Sequence, residues 1–195
     1  MLTITLTSGL LLAAAAGLVA AQTPPGFTPE VKDRLDLIVG SKVITVPGTS
    51  LTKAETAKQP GLGTSDVALT GASYLWMMID QDVPANFQNP SAGGRKTNLH
   101  AMIQGFKPSG QTDANGVHTL TSTATGPIPY TGPAPPAEKP PYAHRYVSLL
   151  YEVPATLSVT KQQVGQTFGF DLAAFVKTVG LTTPPVRANY WNVTG

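Results

Sequence analysis

The stretch YTGPAPPAEKPPYAHRYVSLLYE, residues 130–152, decides how this chain reads. Five prolines fall within its first twelve residues, and an apolar run follows with His144, Arg145 and Tyr146 at its mouth. Proline fixes φ and removes a backbone donor, so the first half is a stiff, non-helical connection. Residues 146–153 have strand length and are rich in apolar side chains, which predicts a strand. A rigid connection thus delivers a histidine, an arginine and a tyrosine to a strand end.

Working outward, residues 73–79 form a second apolar run, unbroken by polar positions. Such a run predicts a strand covered on both faces. It ends in Asp80-Gln81-Asp82-Val83-Pro84, and a loop follows. Residues 99–106, with His100 inside, predict a third strand. Residues 37–39 and 42–46 predict two strands around Gly40-Ser41. Residues 48–66 are polar and weakly periodic and read as loop, and 107–125 read as a turn-rich segment with a hairpin at Asn115-Gly116. The segment opening at Thr23 reads as irregular. The helical pattern is confined to 166–181, with Phe168, Leu172, Phe175 and Val176 on one face and Gly180 as its stop.

The 195 residues are 42% hydrophobic, enough for one core and one domain. Nineteen glycines and 18 prolines imply many turns and short elements, hence mostly β structure. Charged residues make up only 12%, net charge is +2, and no basic block occurs, which argues against nucleic acid. Residues 10–20 are apolar and uncharged, and Val19-Ala20-Ala21 supplies a small-residue cleavage pattern. The run is short of the roughly 20 residues a transmembrane helix needs. A secreted protein is therefore expected, with a signal peptide over 1–21 and a single domain over 22–195. There are no cysteines, so packing alone must hold the fold. Asn192-Val193-Thr194 is a usable N-glycosylation sequon, whereas Asn89-Pro90-Ser91 is blocked by proline.

Chemistry can sit at Asp80 and Asp82, at His100, and at His144-Arg145-Tyr146, all on or beside strand ends. Charges at strand ends must face solvent or a partner, so neighbouring strands would bring these groups to one rim. On spacing alone, Asp80 and Asp82 also fit a turn cap, and His100 also fits a hydrogen-bonded core histidine. Arg145 fits an ion pair with either aspartate. The motifs of nucleotide, serine-hydrolase and zinc-protease chemistry are absent from the sequence, and the two histidines and two aspartates lack zinc-site spacing. Neither a metal nor another cofactor is expected.

Asp80-Gln81-Asp82-Val83-Pro84, then His100 in a strand, then Gly132-Pro133-Ala134-Pro135-Pro136 running into His144-Arg145-Tyr146, resemble the phosphatidylethanolamine-binding protein family. The first and second signatures of that family read approximately D-P-D-A-P and G-P-x-P-P with a nearby H-R-Y. The likeness extends more loosely from about Leu35 to Trp191, with residues 170–176 and 188–191 resembling the family's C-terminal helix and last strand. It implies a large, antiparallel-rich central sheet packed on a smaller sheet, with a C-terminal helix. It also implies an anion pocket at one end of the sheet, lined by Asp80, Asp82, His100 and His144 and walled by Pro84, Pro133, Pro135 and Tyr146. Gln81 stands where the family has proline, and Glu138-Lys139-Pro140-Pro141-Tyr142 replaces a glycine-containing turn.

With a leader and this divergence, the chain resembles the secreted fungal branch of the family. The resemblance implies a binder of phosphate, a phospholipid headgroup or a carboxylate. A second implied function is an enzyme or accessory protein in fungal secondary metabolism, such as dimerisation of maleic anhydride units to maleidrides. There His100 or His144 would be the catalytic candidates, moving a proton. A third is a protease or kinase inhibitor, which would need an ordered N-terminal segment that the sequence does not announce. Oligomeric state is not legible in the chain.

Overall fold

The structure, a computed structural model, describes residues 20–90 and 93–195. All but the last two residues of the expected leader lie outside that range. The strands are β1 (Asp36–Val39), β2 (Lys42–Ile44), β3 (Thr49–Ser50), β4 (Gly61–Thr64), β5 (Tyr74–Pro84), β6 (Arg95–Thr112), β7 (His118–Thr121), β8 (Pro127–Ile128), β9 (Ala143–Glu152) and β10 (Arg187–Thr194). Two helices, α1 (Lys161–Val164) and α2 (Leu172–Val179), precede the last strand.

The strands follow the order β2-β1-β4-β7-β6-β5-β9-β10-β3, with β8 also on β6. All pairs are antiparallel except β10 with β3. The 18-residue β6 belongs to two sheets: its first part pairs with β5 and its end with β7. Gly105 sits at the junction with φ 74°, a conformation that lets the strand bend out of one sheet into the other. A large sheet centred on β5 and β9 and a smaller one of β2, β1, β4 and β7 result, as expected.

The unbroken apolar run of β5 has a direct structural cause. Tyr74, Trp76 and Met78 point into a core shared with Leu37, Ile44 and Leu62 of the small sheet. Leu75, Met77 and Ile79 point the other way, into a second core closed by Val159, Val164, Phe170 and Phe175 around the helices. Side chains alternate across a strand, so a central strand between two apolar layers needs apolar residues at every position.

Two elements differ from the sequence reading. The helix covers Leu172–Val179, not 166–181, because Gly169 takes φ 72° and the Asp171 side chain caps the first turn by accepting from the Ala174 amide at 2.9 Å. Phe168 consequently lies outside the helix, 44% exposed, in a bridge to Asn98. Gly180 ends the helix in the left-handed region with φ 71°, as expected. The one-turn α1, closed by a Thr160/Gln163 capping box, is an element additional to the sequence reading.

The segment 48–66 is not all loop, since it contributes β3 and β4. Gly63 is required in β4: a Cβ there would come 2.5 Å from the His118 carbonyl oxygen. The opening segment is also ordered. The Gln22 amide donates to the Val31 carbonyl at 2.7 Å, Val31 is buried in the second core, and Leu35 and Ala188 continue the attachment through backbone hydrogen bonds.

Candidate functional site

Asp80 stands opposite Tyr146 where β5 runs beside β9, and His144 lies two residues before Tyr146 on the same face of its strand. Asp80, Tyr146 and His144 therefore finish the inter-sheet core at one rim, where the apolar stripe of Trp76 and Met78 gives way to charge. Two irregularities in register re-aim the neighbouring groups. Ile79 pairs with Leu99 and Met78 with Ala101, so His100 is the extra residue of a β-bulge. A further shift between Asp80 and Val83 displaces Gln81 and Asp82.

His144 is fully buried and both its ring nitrogens meet carboxylates: Nδ1 lies 2.8 Å from Asp80 Oδ2 and Nε2 lies 3.1 Å from Glu138 Oε1. Burial by itself disfavours the imidazolium. The hydrogen bond and charge of Asp80, reinforced by Glu138, outweigh it and raise the pKa above the ordinary histidine value. A doubly protonated ring, donating to both sides, is the form this geometry favours. Glu138 is held below the ordinary carboxylate range mainly by Arg95, which donates to both its oxygens at 2.7 and 2.8 Å. The Arg95 guanidinium lies 3.9 Å from the centroid of the Tyr142 ring.

Asp82 does not join the histidine. It is taken up by Arg145, accepting from the backbone N–H at 2.9 Å and from the side chain at 2.7 Å on each oxygen. The ion pair expected for Arg145 is thus with Asp82, and the aspartate that orients an imidazole is Asp80. Asp80 Oδ1 also accepts the Asp82 amide at 2.8 Å, tying the two together.

His100 behaves differently from His144. Its Nδ1 donates to the Thr131 carbonyl at 2.9 Å, and the Thr131 amide returns a bond to the His100 carbonyl at 2.8 Å. Burial lowers its pKa, so the neutral ring dominates, with Nε2 carrying the lone pair. The ring meets Tyr146 edge-on at 5.1 Å. Burial and the Asp80 charge push the Tyr146 hydroxyl far above its usual range, so it remains a donor.

The proline-rich strap covers this cluster. Pro133 and Pro135 are buried, as is Pro84 at the end of β5. Tyr130 donates to the Thr56 carbonyl at 2.6 Å and fastens the strap's start. Of the residues singled out from sequence, Asp80, His100, His144 and Tyr146 meet at one place and Asp82 adjoins it. The Asn192 side chain is tied by Nδ2 to the Gly48 carbonyl at 2.9 Å inside paired β10. Glu138 and Arg95 were missed as site residues. The one available signal was an isolated acid among prolines, and Arg95 follows two glycines in what reads as plain loop.

A ten-strand double sheet with this rim of aspartate, histidine and proline-held tyrosine is the architecture of a phosphatidylethanolamine-binding protein. The family model described by that name matches residues 41–191, and the chain belongs to this family. A protein of Talaromyces stipitatus named phomoidride biosynthesis cluster protein N is 30% identical, covering 91% of this chain and 92% of its own. Among solved structures, a carboxypeptidase Y inhibitor in complex with its cognate proteinase aligns with TM-score 0.58 at 16% identity, covering 84% of each chain. The phosphatidylethanolamine-binding protein of Plasmodium vivax aligns with TM-score 0.54 at 16% identity, covering 83% of this chain and 86% of that one. At such identities these two establish the shared fold.

Proposed function

We propose that the protein binds a small anion at the rim formed by β5, β9 and the strap, and that it serves fungal secondary metabolism as an enzyme or an accessory to one. The observation that carries this reading is His144, buried between Asp80 and Glu138 with the Arg95 fork behind. The His144 Nε2–H and the Arg95 fork are donors of the kind that bind carboxylates and phosphates through charge-assisted hydrogen bonds. The Talaromyces relative supports the metabolic setting, since its name places that protein in a phomoidride biosynthesis cluster. In an enzyme, neutral His100 and protonated His144, both beside the Tyr146 ring, would supply a base and an acid. Export through the leader is part of the same reading. It is supported by the apolar run at residues 10–20 and the small-residue pattern Val19-Ala20-Ala21.

Calorimetric titration of the protein from Gln22 onward, with maleate and with phosphoethanolamine, tests the reading beside His144→Ala. Maleate binding that weakens at least about tenfold in the variant, equivalent to roughly 1.4 kcal/mol, is the expected result. Phosphoethanolamine bound in preference to maleate would favour a phospholipid-headgroup binder, the reading the family name suggests. Silence toward both would end the anion-binding account.

A further inference from the structure

Between Ala137 and Ala143 every residue of the strap is exposed except one. That one, Glu138, turns inward, and its carboxylate is gripped by both terminal nitrogens of Arg95 and by His144 Nε2. Tyr142, from the same segment, covers the Arg95 guanidinium from outside. The strap does not need this acid to hold its earlier course. Pro133 and Pro135 are buried, Tyr130 is bonded to Thr56, and Gly132 passes so near that a Cβ would come 3.0 Å from the Thr56 carbonyl oxygen.

Charge counting isolates Glu138 further. Asp82 is matched by Arg145, and Asp80 by the protonated His144. Arg95 is matched by Glu138 alone. Without that carboxylate, a guanidinium fork and an imidazole N–H would converge on a buried position carrying one net positive charge. A planar, bidentate fork facing a second donor is a receptor for a carboxylate.

We propose that Glu138 is the resident occupant of a carboxylate-binding position, which a ligand carboxylate enters by replacing Glu138 between Arg95 and His144 as residues 137–142 swing outward. The inference rests on the anion-binding reading above and names its ligand class. The exchange substitutes one anion for another, so the charge of the buried cluster is unchanged. It also makes Glu138 a determinant of specificity, because a tethered competitor at effective concentrations on the order of millimolar rejects weak anions.

Glu138→Ala, Glu138→Gln and the double variant Glu138→Ala/Arg95→Ala test it by thermal unfolding and calorimetry with sodium acetate, maleate and inorganic phosphate. Glu138→Ala is expected to melt below the wild type, to recover saturably with acetate, and to bind maleate at least about tenfold more tightly than the wild type does, as removal of a tethered competitor requires. The double variant is expected to lose both effects. Glu138→Gln keeps the side chain's shape and should bind maleate more tightly than wild type even if the alanine variant fails to fold. Equal maleate affinity in wild type and both Glu138 variants would overturn the occupant while leaving the anion-binding reading in place. Binding by none of them would overturn both, and phosphate bound more tightly than acetate would overturn the carboxylate assignment.

Discussion

His144 and Glu138 titrate in opposite senses, and together they set a pH window. The raised pKa of His144 means that its contribution to stability is complete below the ordinary value of 6.5 and is lost as pH rises through the folded-state value. The depressed pKa of Glu138 means that its contribution is complete above 4.5 and is lost as pH falls through its folded-state value. The groups facing them are Asp80 from β5, Arg95 and His100 from β6, and Tyr142 and Tyr146 around the ring. Urea unfolding should therefore show the wild type losing stability as pH rises above 6.5, with a much flatter profile in His144→Gln. Identical slopes would remove the imidazolium from the account. Asp82→Asn should cost roughly 1.5–3 kcal/mol, the usual worth of hydrogen bonds to a charged group, read as a lower urea midpoint with unchanged slope. Asp80 and His144 were legible in the sequence because an ordered motif carried them. Glu138 and Arg95 were not, because a single charge in a loop has no period to mark it. The Asn192 sequon is plain in the sequence, and the bond of its Nδ2 to the Gly48 carbonyl is not.

At the scale of elements, the strands that carry a two-sided apolar pattern were legible, and those built for close approach were not. β5 reads correctly from its composition because both its faces are covered. β4, with the sequence Gly-Leu-Gly-Thr, offers almost no side-chain pattern, since its neighbours occupy the space where side chains would be. Gly63→Ala should accordingly cost about 1–3 kcal/mol through forced overpacking against the β7 backbone, measurable by thermal or urea unfolding. A neutral effect would mean that β4 and β7 can separate freely. The helix begins later than its periodicity predicts. Periodicity alone extends through Phe168, whereas backbone conformation at Gly169 and the cap at Asp171 stop it there. The opening segment was read as irregular for want of periodicity, although buried Val31 and backbone hydrogen bonds fix it to the body.

For the whole molecule, the central sheet divides two cores that share strands but not side chains. Ile44 belongs to the inter-sheet core and Ile79 to the helix-covered core. Ile44→Val and Ile79→Val should each cost about 0.5–1.5 kcal/mol, and the double variant should equal their sum within about 0.5 kcal/mol. A larger coupling would show that the sheet transmits packing changes from one core to the other. The same division places the proposed site at the rim. The inter-sheet core ends at Asp80 and Tyr146, where polar groups of β5, β9 and the strap face one another. A crystal structure of Glu138→Ala grown with maleate tests this account most directly. It should place a maleate carboxylate between the Arg95 guanidinium and His144 Nε2, with His144 Nδ1 still on Asp80. Maleate bound elsewhere, or water alone at that position, would contradict it.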